Sequence, residues 1–126
     1  MEKLIMAARL AQKNSYAPYS KYRVGAAILA DNDIIISGCN VESSSYGLTC
    51  CAERVAIYSA IAQGHNKFKA LALYTENGGS PCGGCRQVIW DLCGNIPIYI
   101  TDKNGTLEET TSKKLLPNAF DDSMLK

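Results

Sequence analysis

Long apolar runs are missing from this sequence. No stretch approaches the roughly 20 consecutive apolar residues that a membrane-spanning helix needs, and the opening segment MEKLIMAARLAQKNS is interrupted by Glu2, Lys3 and Arg9 where a secretory signal would be unbroken. No membrane association is expected, and the cytoplasm is the expected location. An excess of charge is also lacking. Thirteen Lys and Arg face twelve Asp and Glu for a net charge of +1, with the basic residues scattered, so the positive stripe that neutralises a nucleic-acid backbone is not there. Histidine is nearly absent: His65 stands alone in the polar stretch Gly64-His65-Asn66-Lys67, where a solvated loop residue is the better reading than a metal ligand. Internal repeats and low-complexity tracts are absent. What remains is ordinary globular composition, 47% hydrophobic and 20% charged over 126 residues, the size of one domain spanning 1–126. A small, neutral or weakly charged ligand fits this balance. Cysteine is the exception to the scarcity: six in a chain without an export signal point to metal binding or catalysis before a disulfide framework.

The apolar pattern predicts alternating helices and strands. Leu4, Ile5, Ala8 and Ala11 recur at helical spacing within residues 2–14, ahead of a stop at Pro18. Strand-like runs over 22–30 and 34–39 flank Asp31-Asn32-Asp33, whose side chains tolerate turn dihedrals, and so predict a hairpin. Residues 51–62 are apolar nearly all round and close at Gly64, which predicts a helix buried on most sides. A strand over 69–74 and a loop over 76–80 follow, then a helix over 82–93 ending at Gly94, with Ser80 and Pro81 at its cap and first turn. A strand over 96–101 and a short helix within 112–120 complete the chain. Strand, helix, strand, helix, strand from residue 34 onward predicts right-handed crossovers and parallel pairing, in a three-layer α/β arrangement whose first hairpin is antiparallel.

The chemistry concentrates at two predicted helix mouths. Pro81-Cys82-Gly83-Gly84-Cys85 opens one helix, and Cys51-Ala52-Glu53 opens the other. Helix N-termini offer unpaired N–H groups and partial positive charge, which favour thiolates. Three soft sulfur ligands select zinc, and three protein ligands, not four, leave a position for water, as catalytic zinc sites do. Zinc moves the pKa of water toward about 7. Glu53, two residues past a ligand, is the candidate general acid and base. Arg54 can donate hydrogen bonds to one or two of the sulfurs and so temper three anionic ligands. Cys50 is expected to point about 100° away from Cys51 around the helix, and Cys39 and Cys93 read as small buried hydrophobes. Trp90, with Val88, Ile89 and Leu92, reads as core or subunit contact.

Cys51-Ala52-Glu53-Arg54 with Pro81-Cys82-Gly83-Gly84-Cys85-Arg86-Gln87-Val88 resembles the small, homotetrameric, zinc-dependent cytidine deaminases. The resemblance runs through Tyr16-Ala17-Pro18-Tyr19-Ser20, Tyr22 to Ala27, Gly38-Cys39-Asn40-Val41-Glu42 and Leu115 to Phe120, in order. It implies an α/β/α fold with a mixed five-stranded sheet, one zinc per subunit, and hydrolytic deamination of cytidine and deoxycytidine with release of ammonia, as in pyrimidine salvage. Carried over by position, Asn40 and Glu42 hold ribose hydroxyls. Tyr22 stands beside the pyrimidine where the family usually has Phe, the main-chain N–H of Ala52 faces the pyrimidine O2, and Phe120 reaches into a neighbouring subunit's site. Three competing readings come with the motif: a deaminase of a modified cytosine nucleoside or nucleoside antibiotic, a nucleic-acid editing deaminase, and a closed structural zinc module. Charge speaks against the second, and the count of three ligands against the third.

Overall fold

The computed structural model describes residues 1–125. Helix α1 (Glu2–Ala11) turns Leu4, Ala8 and Ala11 inward and tightens into a 3-10 turn over Gln12–Asn14. Strands β1 (Gly25–Ala30) and β2 (Ile35–Cys39) form the expected antiparallel hairpin. Then come α2 (Ala52–Ala62), β3 (Phe68–Tyr74), α3 (Gly83–Cys93), β4 (Pro97–Thr101), β5 (Leu107–Thr111) and a single turn, α4 (Ser112–Leu115). The five strands lie in the order β2-β1-β3-β4-β5.

Because successive strand residues face opposite sides, the sheet feeds two cores. Ala26, Ile28, Leu71, Leu73 and Ile98 meet Ala56 and Ile57 of α2 and Ile89 of α3 on one side. Ala27, Ala70 and Ala72 meet Leu4 and Ala8 of α1 on the other. The result is three layers, α1 over the sheet over α2 and α3. Small residues let the layers close tightly. A Cβ at Gly38 would lie 2.5 Å from the Ala56 backbone nitrogen and 2.9 Å from the Ala52 carbonyl oxygen, so α2 rests directly on β2. Among the described residues no helix is long and apolar enough to cross a membrane.

The pairing departs from the sequence expectation in two ways. Within the sheet, parallel pairing is confined to β3 and β4, because β1 lies between β2 and β3 and runs antiparallel to both. The burial of each strand explains this: β1 is buried along almost its whole length, as a central strand must be, whereas β2 exposes Ser37 and takes the edge. The second departure is β5, which the residue pattern did not indicate. Its sequence, LEETT, buries only Thr110 and pairs antiparallel with β4 as the opposite edge.

Candidate metal and catalytic site

Cys51 and Cys82 occupy the N-cap positions of α2 and α3, both in extended backbone (φ −70°, ψ 155° and φ −67°, ψ 167°). The cap of α3 is therefore Cys82, and not Ser80 as its hydroxyl suggested; the first helical bond runs from the Arg86 N–H to the Cys82 carbonyl at 3.0 Å. Extended backbone at each cap turns the thiol back toward the helix mouth, and the next thiol, Cys85, follows one turn into α3. The Cys51 and Cys82 sulfurs are 3.9 Å apart, the Cys82 and Cys85 sulfurs 3.3 Å, and all three lie within 4.8 Å of one another. A tetrahedral zinc with Zn–S bonds of about 2.3 Å needs sulfurs roughly 3.8 Å apart. The trio fits such an ion with little adjustment, and no fourth Cys, His, Asp or Glu joins the cluster among the described residues.

The electrostatics fit thiolate ligands as well. Cys51 is pulled down to about 5, first by a hydrogen bond from the Cys85 thiol and further by Arg54, against the opposing effect of burial. Cys85 is pushed up by the same hydrogen bond, by burial and by the charge of Glu53. A metal held by these sulfurs would displace the protons of whichever thiols carry them. Arg54 donates from Nη2 to the Cys51 sulfur at 3.7 Å and to the Thr49 carbonyl at 3.3 Å. Its Nε is buried and has no hydrogen-bond partner among the described residues. Of the one or two sulfurs expected for Arg54, Cys51 is the one contacted.

Cys50 stands apart for a different reason than helix rotation. It precedes α2 and pairs with Val41 in an isolated antiparallel bridge, with N–H to carbonyl bonds of 2.9 Å in both directions. Consecutive residues of extended chain point to opposite sides, which separates its thiol from that of Cys51. Cys39 and Cys93 are free and half-buried, and burial pushes the Cys93 thiol up to about 12.

Beside the trio opens a cavity of about 290 Å³ whose walls include Tyr22, Asn40, Glu42, Cys51, Glu53 and Cys82. Glu53 is only 4% exposed. Burial, reinforced by the charge of Cys51, raises its carboxyl to about 7, where it holds or releases a proton with equal ease. Asn40 is buried and largely committed to the scaffold. Its Oδ1 accepts from the Ser15 hydroxyl and, at 3.0 Å, from the Val24 N–H, while its Nδ2 donates to the Tyr22 carbonyl at 2.7 Å. One N–H remains for a ligand. The Glu42 carboxylate accepts from the N–H groups of Tyr19 and Ser20 at 3.0 and 3.1 Å and from the Ser20 hydroxyl. These bonds, the hydroxyl first, hold it below the usual carboxylate range and keep it ionised.

Two expected site residues lie off this cavity. The Ala52 side chain is buried in the core as the first residue of α2, which leaves its backbone at the helix mouth. Phe120 is 56% exposed and lines a different hollow, with Trp90 and Asp121. There the Gln87 side chain donates to the Phe120 carbonyl at 2.7 Å, and the Trp90 indole donates to Asp121 at 3.3 Å. Ser20, Thr49 and Thr75 also line this cavity. Local pattern did not mark them, since each is a small hydroxyl residue in a connecting segment or at a strand end and only the fold turns it inward.

Residues 1–99 match the family described as "Cytidine and deoxycytidylate deaminase zinc-binding region". A cytidine deaminase of Sporosarcina psychrophila is 50% identical over 123 residues, covering 95% of this chain and 90% of that protein. A cytidine deaminase of Halalkalibacterium halodurans is 42% identical over 120 residues, covering 93% and 91%. Among solved structures, cytidine deaminase from Burkholderia pseudomallei superposes with a TM-score of 0.91 at 43% identity, covering 94% of this chain and 98% of that one. With zinc-spaced thiols, a buried carboxyl and the same fold over nearly the full length, the chain belongs to the cytidine and deoxycytidylate deaminase family.

Proposed function

We propose that this chain, as one domain, is a hydrolase that converts cytidine and deoxycytidine to uridine and deoxyuridine with release of ammonia. The observation that carries the reading is the buried Glu53 carboxyl in the wall of a nucleoside-sized cavity beside three convergent sulfurs. Cys51, Cys82 and Cys85 would hold one zinc per subunit, and that ion would supply Lewis-acid activation of water at neutral pH. Glu53 accepts the proton of the attacking water, delivers it to N3 of the pyrimidine, and passes a second to the departing amine, so that one water is consumed per ammonia released. The aromatic face of Tyr22 forms the wall against the base. The free N–H of Asn40 and the ionised Glu42 offer one donor and one acceptor to the ribose hydroxyls. The N–H groups at the mouth of α2, beginning with Ala52, lack partners within the helix and suit the pyrimidine O2.

Phe120 turns away from the cavity of its own chain and is exposed. This supports an assembly, a homotetramer, in which the C-terminal segment of one subunit completes the site of the next. The cytoplasm, where free nucleosides are salvaged, is the compartment that fits. Cytidine, deoxycytidine, blasticidin S and a single-stranded oligonucleotide, each followed for ammonia release with and without a chelator, test the assignment. Release from the two free nucleosides that stops on chelation is expected. No release from either nucleoside overturns it.

A further inference from the structure

The hydroxyl of Tyr22 is not free to meet a ligand. It donates to Asn77 Oδ1 at 2.9 Å, across 55 positions of sequence, to the segment that joins β3 to the Cys82 helix mouth. The same Asn77 oxygen accepts from the Thr75 hydroxyl at 3.3 Å and from the Gly79 N–H at 3.2 Å. The Thr75 hydroxyl, itself buried, accepts from the Gly79 N–H at 2.9 Å. Three donors thus converge on one side-chain oxygen, and the amide nitrogen of Asn77 takes no part in the ring.

Gly79 closes the ring through space as well as through its N–H. Its backbone lies outside the left-handed region, so dihedral freedom is not what places glycine there. A Cβ at this position would meet the Tyr22 hydroxyl oxygen at 2.3 Å; the next atoms, Asn77 Oδ1 at 3.4 Å and the Tyr22 ring carbon bearing the hydroxyl at 3.6 Å, are at ordinary contact distance. The phenol oxygen alone excludes a side chain. On the other side of Tyr22, Lys21 adopts φ +62°, a left-handed conformation unfavourable for a residue other than glycine. Its neighbours hold it there: the Lys21 N–H donates to the Ala17 carbonyl at 3.0 Å, and the Tyr22 N–H to the Ser20 hydroxyl at 3.0 Å. Strained backbone on one side and a ring of hydrogen bonds on the other fix the phenol between the two walls of the cavity, both of which it joins.

We propose that Tyr22, Asn77 and Gly79 form a clasp that sets the width of the substrate cavity, with the Tyr22 hydroxyl as a positioning group that ties the segment before β1 to the segment before Cys82. The proposal rests on the cavity being the nucleoside site. Tyr22→Phe keeps the ring and opens the clasp, so KM for cytidine rises between about twofold and tenfold, the range of one net hydrogen bond, and by a larger factor than kcat falls. Asn77→Asp keeps the accepting oxygen and preserves KM within twofold, whereas Asn77→Leu removes it and reproduces the Tyr22→Phe effect. Gly79→Ala lowers the thermal midpoint of the zinc-loaded protein and raises KM in the Tyr22 background, but changes neither when combined with Tyr22→Phe, because the clashing oxygen is gone. Additive effects of Gly79→Ala and Tyr22→Phe overturn the clasp, as does an Asn77→Asp variant as impaired as Asn77→Leu. The coupling in thermal midpoint needs no substrate. A protein inactive on nucleosides that still shows this coupling sinks the substrate reading while keeping the clasp as a structural tie.

Discussion

Glu53 and Arg54 are neighbours in sequence with opposite proposed tasks, and their surroundings set them apart. Burial disfavours a charged carboxylate and raises the Glu53 carboxyl, which suits the proposed proton shuttle. Arg54 is held cationic by its hydrogen bond to Cys51, and gives up nothing but hydrogen bonds. Glu53→Gln keeps size and burial but cannot shuttle protons, so deamination should fall by about 10²- to 10⁴-fold. Zinc content by atomic absorption should stay unchanged; loss of the metal together with the activity would make Glu53 a structural support of the site instead. Arg54→Gln should do the reverse, weakening zinc retention against a competing chelator by about ten- to a hundredfold with the fold intact. Unchanged retention and turnover would discard that role. The placement of both beside Cys51 was legible in the sequence because it follows from distance to that residue along one helical turn. The commitments of Asn40 were not: its bonds to Ser15, Tyr22 and Val24 arise from segments that meet only in the folded chain.

At the level of elements, α2 serves as the support of the site. It contributes Cys51 at its cap and Glu53 in its first turn, and Ala52, Ala56 and Ala60 let it lie against the sheet without intervening bulk. A tight approach is at Gly38, where an added methyl meets the backbone of α2 and no flexible side chain can yield. Gly38→Ala should therefore destabilise the protein by about 1–3 kcal/mol through overpacking. Since the whole helix must move, zinc affinity should drop with it. A melting curve and a zinc titration check this, and a normal affinity in a destabilised variant would mean that the caps hold their geometry independently of the helix axis. Apolar periodicity revealed α1, α2, α3 and the first four strands to within a few residues, because each buries a face. It did not reveal β5, whose side chains are polar and mostly exposed and whose existence depends on the free edge of β4. Nor did it show that β1 separates β2 from β3, since strand order is a property of the assembled sheet.

For the molecule as a whole, the question is how much of the fold depends on the metal. In a closed structural zinc module the ion organises the core, and removing it unfolds the chain. Here the two apolar layers on either face of the sheet draw on Ile28, Ile57, Leu71, Ile89 and Ile98 and, opposite them, Leu4, and all of these are buried without help from the sulfurs. The trio lies where α2 and α3 begin, with Cys51 and Cys82 at the caps and only Cys85 fully buried. Stripping zinc should thus leave the far-ultraviolet circular dichroism at 20 °C unchanged while lowering the thermal midpoint, because zinc binds the folded chain and little else. At a hundredfold excess over its dissociation constant the ion adds about 2.7 kcal/mol, roughly 10 °C for a chain of this length. Readdition of zinc should restore both the midpoint and deamination. If the chelated protein instead lost its helical signal at 20 °C, the sheet and its two cores would not suffice to hold the fold, and the three sulfurs would have to be counted as structural ligands first and catalytic ones second.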